Sequence, residues 1–176
     1  VCALDAQGVT SCWGESQWGQ TLPPNYTYQK VVTGRDHSCG LTSLGQIMCW
    51  GRDNFGQSSP PAGTFTDIDA GYNHSCAIDI NGNILCWGYN GYGQGVPSTM
   101  NSPAVGLSCG NDHCCGFDQA GEEYCWGENS YNKAEPPSLQ NVSAVSVGVY
   151  DSCAIYGSSN QMHCWGCNRH NGICKA

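Results

Sequence analysis

Cys76-Ala77-Ile78-Asp79-Ile80-Asn81-Gly82-Asn83-Ile84-Leu85-Cys86-Trp87-Gly88 carries the reading of the fold. Setting Cys76 opposite Cys86 puts Ala77 against Leu85, Ile78 against Ile84 and Asp79 against Asn83. Ile80, Asn81 and Gly82 remain for the turn. A three-residue hairpin loop commonly closes with a left-handed residue, where Gly carries no Cβ penalty. The stretch therefore predicts a β-hairpin whose two cysteines oppose one another directly. Such partners lie ~4.5–5.5 Å apart, within the span a disulfide bridges.

The same construction recurs along the chain. Cys-Trp-Gly begins at Cys12, Cys49, Cys86, Cys125 and Cys164, at spacings of 37, 37, 39 and 39 residues. Upstream partners are Cys2, Cys39, Cys76, Cys115 and Cys153, at separations of 10, 10, 10, 10 and 11. Gly8, Gly45 and Gly121 fall at the turn position of Gly82, and Gly157-Ser158-Ser159-Asn160 absorbs the one-residue insertion in the fifth unit. Five disulfides follow: Cys2–Cys12, Cys39–Cys49, Cys76–Cys86, Cys115–Cys125 and Cys153–Cys164. Of the remaining four cysteines, Cys109 can pair with Cys114 and Cys167 with Cys174, or the bonds can cross between the two sites.

Upstream of the hairpins lie Lys30-Val31-Val32, Phe65-Thr66-Asp67-Ile68 and Val142-Ser143-Ala144-Val145-Ser146-Val147, each a candidate third strand. Pro23-Pro24, Pro60-Pro61, Pro97 and Pro136-Pro137 punctuate the connections. A three-stranded unit cannot bury both faces alone, so serial units must stack. Radial stacking with protected edges is a β-propeller. The expected fold is all-β: a five-bladed β-propeller of short three-stranded blades, each stapled by an intra-blade disulfide, in one domain over residues 1–176. The repeat units run approximately 1–22, 23–59, 60–96, 97–135 and 136–176. The first unit lacks its upstream strand. It is expected either to borrow one from the tail or to stay two-stranded. Helix should be near absent.

Composition excludes several functions. Net charge is −8 with only six Lys and Arg, against the basic face that nucleic acid requires. No apolar run reaches the ~18 residues of a membrane helix. Fourteen cysteines and a first residue that is Val rather than Met point to a processed protein secreted into an oxidising, extracellular compartment. The sequons at Asn25, Asn73 and Asn141 make it a candidate glycoprotein. No Gly-x-Ser-x-Gly, His-Glu-x-x-His or phosphate loop occurs, so an enzyme is not expected and no cofactor is called for. The cysteines lack paired zinc knuckles, and Asp67 with Asp69 is too few carboxylates for calcium. No metal is expected.

Val31-Val32-Thr33-Gly34-Arg35-Asp36-His37-Ser38-Cys39-Gly40-Leu41, echoed by Ala70-Gly71-Tyr72-Asn73-His74-Ser75-Cys76-Ala77-Ile78 and followed by Cys-Trp-Gly, resembles the regulator of chromosome condensation repeat. The short unit is similar to the secreted β-lactamase inhibitory propeller, and the cysteine-bearing form to the extracellular repeats of crinkly-type plant receptor kinases. That resemblance implies a propeller serving as a binding platform without catalysis of its own. Propellers of the superfamily usually have seven blades, against five Cys-Trp-Gly units here.

Two recurring sets of side chains are candidates for function. Trp13, Trp50, Trp87, Trp126 and Trp165 are read as packing between blades, and His37, His74 and His113 as rings tied to backbone carbonyls. Five residues beyond each Trp comes Trp18, Phe55, Tyr92, Tyr131 or His170. These five rings would gather on one face. With neighbouring amides such as Gln57, Asn90 and Gln94 they suit sugar stacking, in which a ring covers C–H groups while amides hold hydroxyls. The expected function is a secreted, lectin-like carbohydrate-recognition protein with repeated sites. The alternative is a protein-binding module, such as an enzyme inhibitor or receptor-type domain, favoured by the unlike loops at Arg52-Asp53, Tyr89-Asn90 and Glu128-Asn129. The partner is a glycan or an extracellular protein.

Overall fold

A computed structural model describes residues 1–168 and 173–175, with side chains as far as Gly166. The first unit forms β1 (Cys2–Leu4) and β2 (Thr10–Cys12), and the second β3 (Tyr28–Thr33), β4 (His37–Thr42) and β5 (Ile47–Gly51). The third forms β6 (Phe65–Ala70), β7 (His74–Asp79) and β8 (Ile84–Gly88), and the fourth β9 (Ala104–Cys109), β10 (His113–Asp118) and β11 (Glu123–Gly127). The last forms β12 (Ala144–Val147), β13 (Asp151–Tyr156), β14 (Gln161–Asn168) and β15 (Ile173–Lys175). A 3-10 turn at Ser130–Asn132 is the helical content among the described residues. The chain thus builds five consecutive blades of a β-propeller. Three of them have three strands, the first has two and the last has four.

The hairpin register matches the cysteine reading: Cys76 faces Cys86, Ala77 faces Leu85 and Ile78 faces Ile84. All five hairpin disulfides form, with Cα separations of 4.0–4.1 Å. Gly8, Gly45, Gly82 and Gly121 take φ of 76–81°, the left-handed conformation the turn needs. Cys109 pairs locally with Cys114, tying β9 to β10. The tail does not complete the first blade; β15 adds to β14 instead, with Cys167 in register with Cys174. The expected bond between those two lies outside the described side chains.

The core lies between the blades. One buried cluster joins Val32, Leu41 and Ile47 of the second blade to Phe65, Ile68 and Ala77 of the third. Others lie between blades three and four and between blades four and five. Each blade packs on the next in chain order, and among the described residues no extensive contact joins the first sheet to the last.

Polar bonds sew the same seams. The indole Nε1–H of Trp50 donates to the Gln20 carbonyl at 2.9 Å, and Trp87, Trp126 and Trp165 donate to Gln57, Gln94 and Lys133 carbonyls at 3.0–3.1 Å. Among the described residues Trp13 meets no such carbonyl, and it is 54% exposed, against 7% for Trp50 and 5% for Trp126 and Trp165. The histidines serve the seams as well, with partners other than the expected backbone carbonyls. His37 Nε2 meets Ser75 Oγ at 2.8 Å and His113 Nε2 meets Ser152 Oγ at 2.9 Å, each hydroxyl belonging to the following blade. Ser152 Oγ itself donates to the Lys133 carbonyl, so His113 Nε2–H is the donor to it. In the third seam His74 Nε2 meets Cys114 Sγ at 3.0 Å. Burial pushes all three imidazoles down to about 4, so they stay neutral at these seams. Gly34 and Gly71 sit against the His37 and His74 rings, where an added Cβ would collide.

Glu123 departs from the pattern. It occupies the repeat position held by Ile47 and Ile84, and neither carboxylate oxygen has a hydrogen-bond partner. Burial pushes it up to about 7 from 4.5. Folding therefore favours its proton, and the associated stability is complete below pH 4.5 and lost as pH rises through about 7. Glu123→Gln removes this loss. Its melting temperature should gain on the parent between pH 5 and pH 8 and level off above; parallel curves would contradict the assignment.

Candidate functional site

The loops after β2, β5, β8 and β11 each follow a Cys-Trp-Gly, and in the second to fourth blades that Gly closes against the turn between the first two strands. Arg52, Tyr89 and Glu128 N–H groups donate to the Asp36, Asn73 and Asp112 carbonyls at 2.8 Å. At the Gly before each, φ is near 100° and a Cβ would strike that carbonyl. Both constraints fix where each loop departs.

Side chains then brace the loops internally. Gln20, Gln57 and Gln94 accept the N–H of Trp18, Phe55 and Tyr92 through Oε1 at 2.8–2.9 Å. Gln57 and Gln94 are 0% exposed. Asn90 Oδ1 accepts the Gly95 N–H at 2.8 Å, and Asn129 Oδ1 the Ala134 N–H at 3.0 Å. The amides therefore hold the loops in shape, with Gln57 and Gln94 turned away from solvent.

The fourth loop uses a different brace. Lys133 stands where the others have Gln, and its ammonium pairs with Glu128 and donates to the Val149 carbonyl at 3.1 Å. Burial opposes charge on Glu128, but hydrogen bonds from Lys133 and Ser130 and the charge of Lys133 outweigh it and hold the carboxyl at about 2. Here the chain makes its 3-10 turn, with Tyr131 at φ 67°.

What reaches solvent is aromatic. Trp18, Phe55, Tyr92 and Tyr131 are 42, 45, 55 and 40% exposed; His170 lies outside the described residues. Tyr89 joins two of these rings, 5.1 Å from Phe55 and 6.0 Å from Tyr92, in edge contacts. Tyr131 meets Tyr150 of the fifth blade at 6.4 Å and 89°. Arg52 lies 5.0 Å over Trp18, Arg35 4.8 Å over Tyr72, and Lys133 Nζ 6.0 Å from the Tyr150 ring. A cavity of about 360 Å³ opens among Tyr92, Asp112, Glu128, Tyr131, Lys133 and Tyr150. The rings thus form an arc across successive blades rather than isolated equivalent sites. The sequence reading missed Tyr89 and Tyr150 as parts of it; Tyr89 was visible only as a loop difference, and Tyr150 follows no repeat.

Other candidates resolve into structure. Asp67 pairs with Lys30 at 2.6 Å, and Asp69 accepts the Cys109 N–H at 2.8 Å, linking inner strands of neighbouring blades. His74, Cys76, Cys109 and Cys114 place their donor atoms within 4.8 Å of one another. The three sulfurs are in disulfides, and metal binding requires thiolates. Asn25 and Asn141 are exposed and Asn73 is half-buried. Among the described residues no helix is long and apolar enough to cross a membrane.

The family model for the regulator of chromosome condensation (RCC1) repeat matches residues 28–57 and 65–94. No curated protein matches. The fold is similar to the ectodomain of the Physcomitrella patens receptor kinase CR4, 27% identical with a TM-score of 0.78, covering 94% of this chain and 49% of that one. It is similar also to the crinkly ectodomain of the Arabidopsis thaliana receptor kinase ACR4, 25% identical with a TM-score of 0.78, covering 94% and 64%. Prp20p of Saccharomyces cerevisiae, 18% identical with a TM-score of 0.75 over 94% and 55%, shares the fold. The chain spans about half to two thirds of the length of these structures.

The loop braces and the rings should separate in mutants. Gln57→Ala strands the Phe55 N–H and should cost ~1–3 kcal/mol of stability, whereas Tyr92→Ala, half-exposed, should cost less than about 1 kcal/mol. Thermal melting of the two variants checks this. A larger loss in Tyr92→Ala would make that ring an anchor of the blade.

Proposed function

We propose that this chain, which carries regulator of chromosome condensation repeats on a disulfide-stapled propeller, is an extracellular recognition module that binds a protein partner through its loop face. The arc of exposed rings carries the reading. Aromatic side chains bring large contact area at little entropic cost and are enriched where proteins bind proteins. Loops braced by buried amides hold that surface in place before binding, which lowers the cost of ordering it. The unlike neighbours Arg52, Tyr89 and Glu128 make the surface asymmetric, as a single protein partner requires. Disulfides in every hairpin suit an oxidising compartment, and two of the similar structures are receptor ectodomains.

Carbohydrate recognition is the second reading, supported by the cavity beside Tyr92 and Tyr131. It ranks lower because Gln57, Asn90 and Gln94 spend their carbonyl oxygens inside the loops.

Panning a displayed peptide library and probing a glycan array with the intact protein tests both readings. The control is a variant with Trp18, Phe55, Tyr92 and Tyr131 all changed to Ala, its fold verified by melting. Peptides that bind the parent and lose at least tenfold with the variant are expected. Glycan binding lost in the variant would instead put sugar recognition first, and peptides bound equally by both proteins would remove the loop face from the account.

A further inference from the structure

We propose that the cavity shared by blades three, four and five seats a cationic side chain, arginine foremost, of the partner's chain. This rests on the reading of the loop face as a protein-binding surface and names the chemistry recognised there. Tyr92, Tyr131 and Tyr150 supply ring surface to the cavity, which is about 360 Å³ in volume. Tyr131 and Tyr150 stand perpendicular to one another at 6.4 Å, so the ring surfaces turn a corner instead of forming a flat shelf. Asp112 and Glu128 add two carboxylates and Lys133 one ammonium, leaving the lining with one net negative charge.

The same face already shows what its rings accept. Arg52 covers Trp18, Arg35 covers Tyr72, and Lys133 lies near Tyr150, each a cation of the chain against an aromatic face. Among the described residues no cation of the chain is placed over Tyr92, the most exposed of the four loop rings at 55%. The Lys133 ammonium is directed to Glu128 and the Val149 carbonyl, so it does not fill the cavity. A guanidinium entering from solvent would lie over Tyr92 with Asp112 in reach of its N–H groups, a pairing of ring quadrupole and carboxylate that suits arginine. The net charge of −8 favours approach of a basic segment to the protein as a whole; the rings and Asp112 decide where it stops.

A nine-residue peptide alternating glycine and arginine, and the same peptide with citrulline in place of arginine, test this directly. Citrulline keeps the shape and removes the charge. Titration followed by NMR should show the arginine peptide shifting the Tyr92 and Tyr131 ring signals, with the citrulline peptide at least tenfold weaker. Tyr92→Ala, which leaves net charge unchanged, should weaken the arginine peptide by at least about threefold, and Tyr92→Phe should retain binding because its ring face keeps the quadrupole. Equal affinity for arginine and citrulline, or binding by Tyr92→Ala equal to the parent, overturns the assignment. Loop-face peptides recovered by panning that carry no basic residue overturn it too, while leaving protein recognition by the loop face standing.

Discussion

One hydrogen bond per seam, from the Cys-Trp-Gly indole to a carbonyl of the preceding blade's loop, ties the architecture to the surface that projects from it. A blade of three short strands exposes two faces and has too little interior to stand alone. Its neighbours supply the missing cover, and the Trp rings fill the gap between them. An indole buried there needs an acceptor for its N–H. The acceptor is the carbonyl of Gln20, Gln57, Gln94 or Lys133, at the end of the loop that carries the exposed ring. Packing of one blade thereby fixes the ring-bearing loop of the blade before it.

The division of labour inside that loop follows from the same residue. Gln57 gives its backbone carbonyl to Trp87 and its side-chain oxygen to the Phe55 N–H. Both polar groups are spent on structure, so what remains for a partner is the ring. Lys133 performs the first task through its carbonyl; in place of the second, Glu128 accepts the Ser130 N–H and pairs with the Lys133 ammonium. That exchange puts a buried ion pair beside Tyr131 and makes the fourth loop unlike the other three.

Much of this was legible in the residues. Cysteines at a fixed separation determine a register, a register determines which residue turns, and Gly82 and its counterparts stood at that place. Period alone therefore reached the hairpins, the five staples and the propeller. It reached the positions of the rings as well, since Trp18, Phe55, Tyr92 and Tyr131 recur five residues after a Trp. Period could not say which polar groups face inward. Gln57, Asn90 and Gln94 read as solvent-facing amides because a loop brace and a ligand contact use the same chemistry. Nor could it show that Cys114 takes the seam position of Ser75 and Ser152, which puts sulfur before His74. Tyr150 joins the arc only because blade five folds against blade four, a relation carried by the three-dimensional stacking.

The central claim is that indole-to-carbonyl bonds between consecutive blades hold the ring-bearing loops in place, and indole hydrogen exchange measures those bonds one at a time. With each indole Nε1–H assigned by NMR, the signals of Trp50, Trp87, Trp126 and Trp165 should exchange slowly, and that of Trp13, 54% exposed, should exchange at close to the rate of a free indole. Fast exchange at the four seam indoles, or protection of Trp13 equal to theirs, would contradict the account.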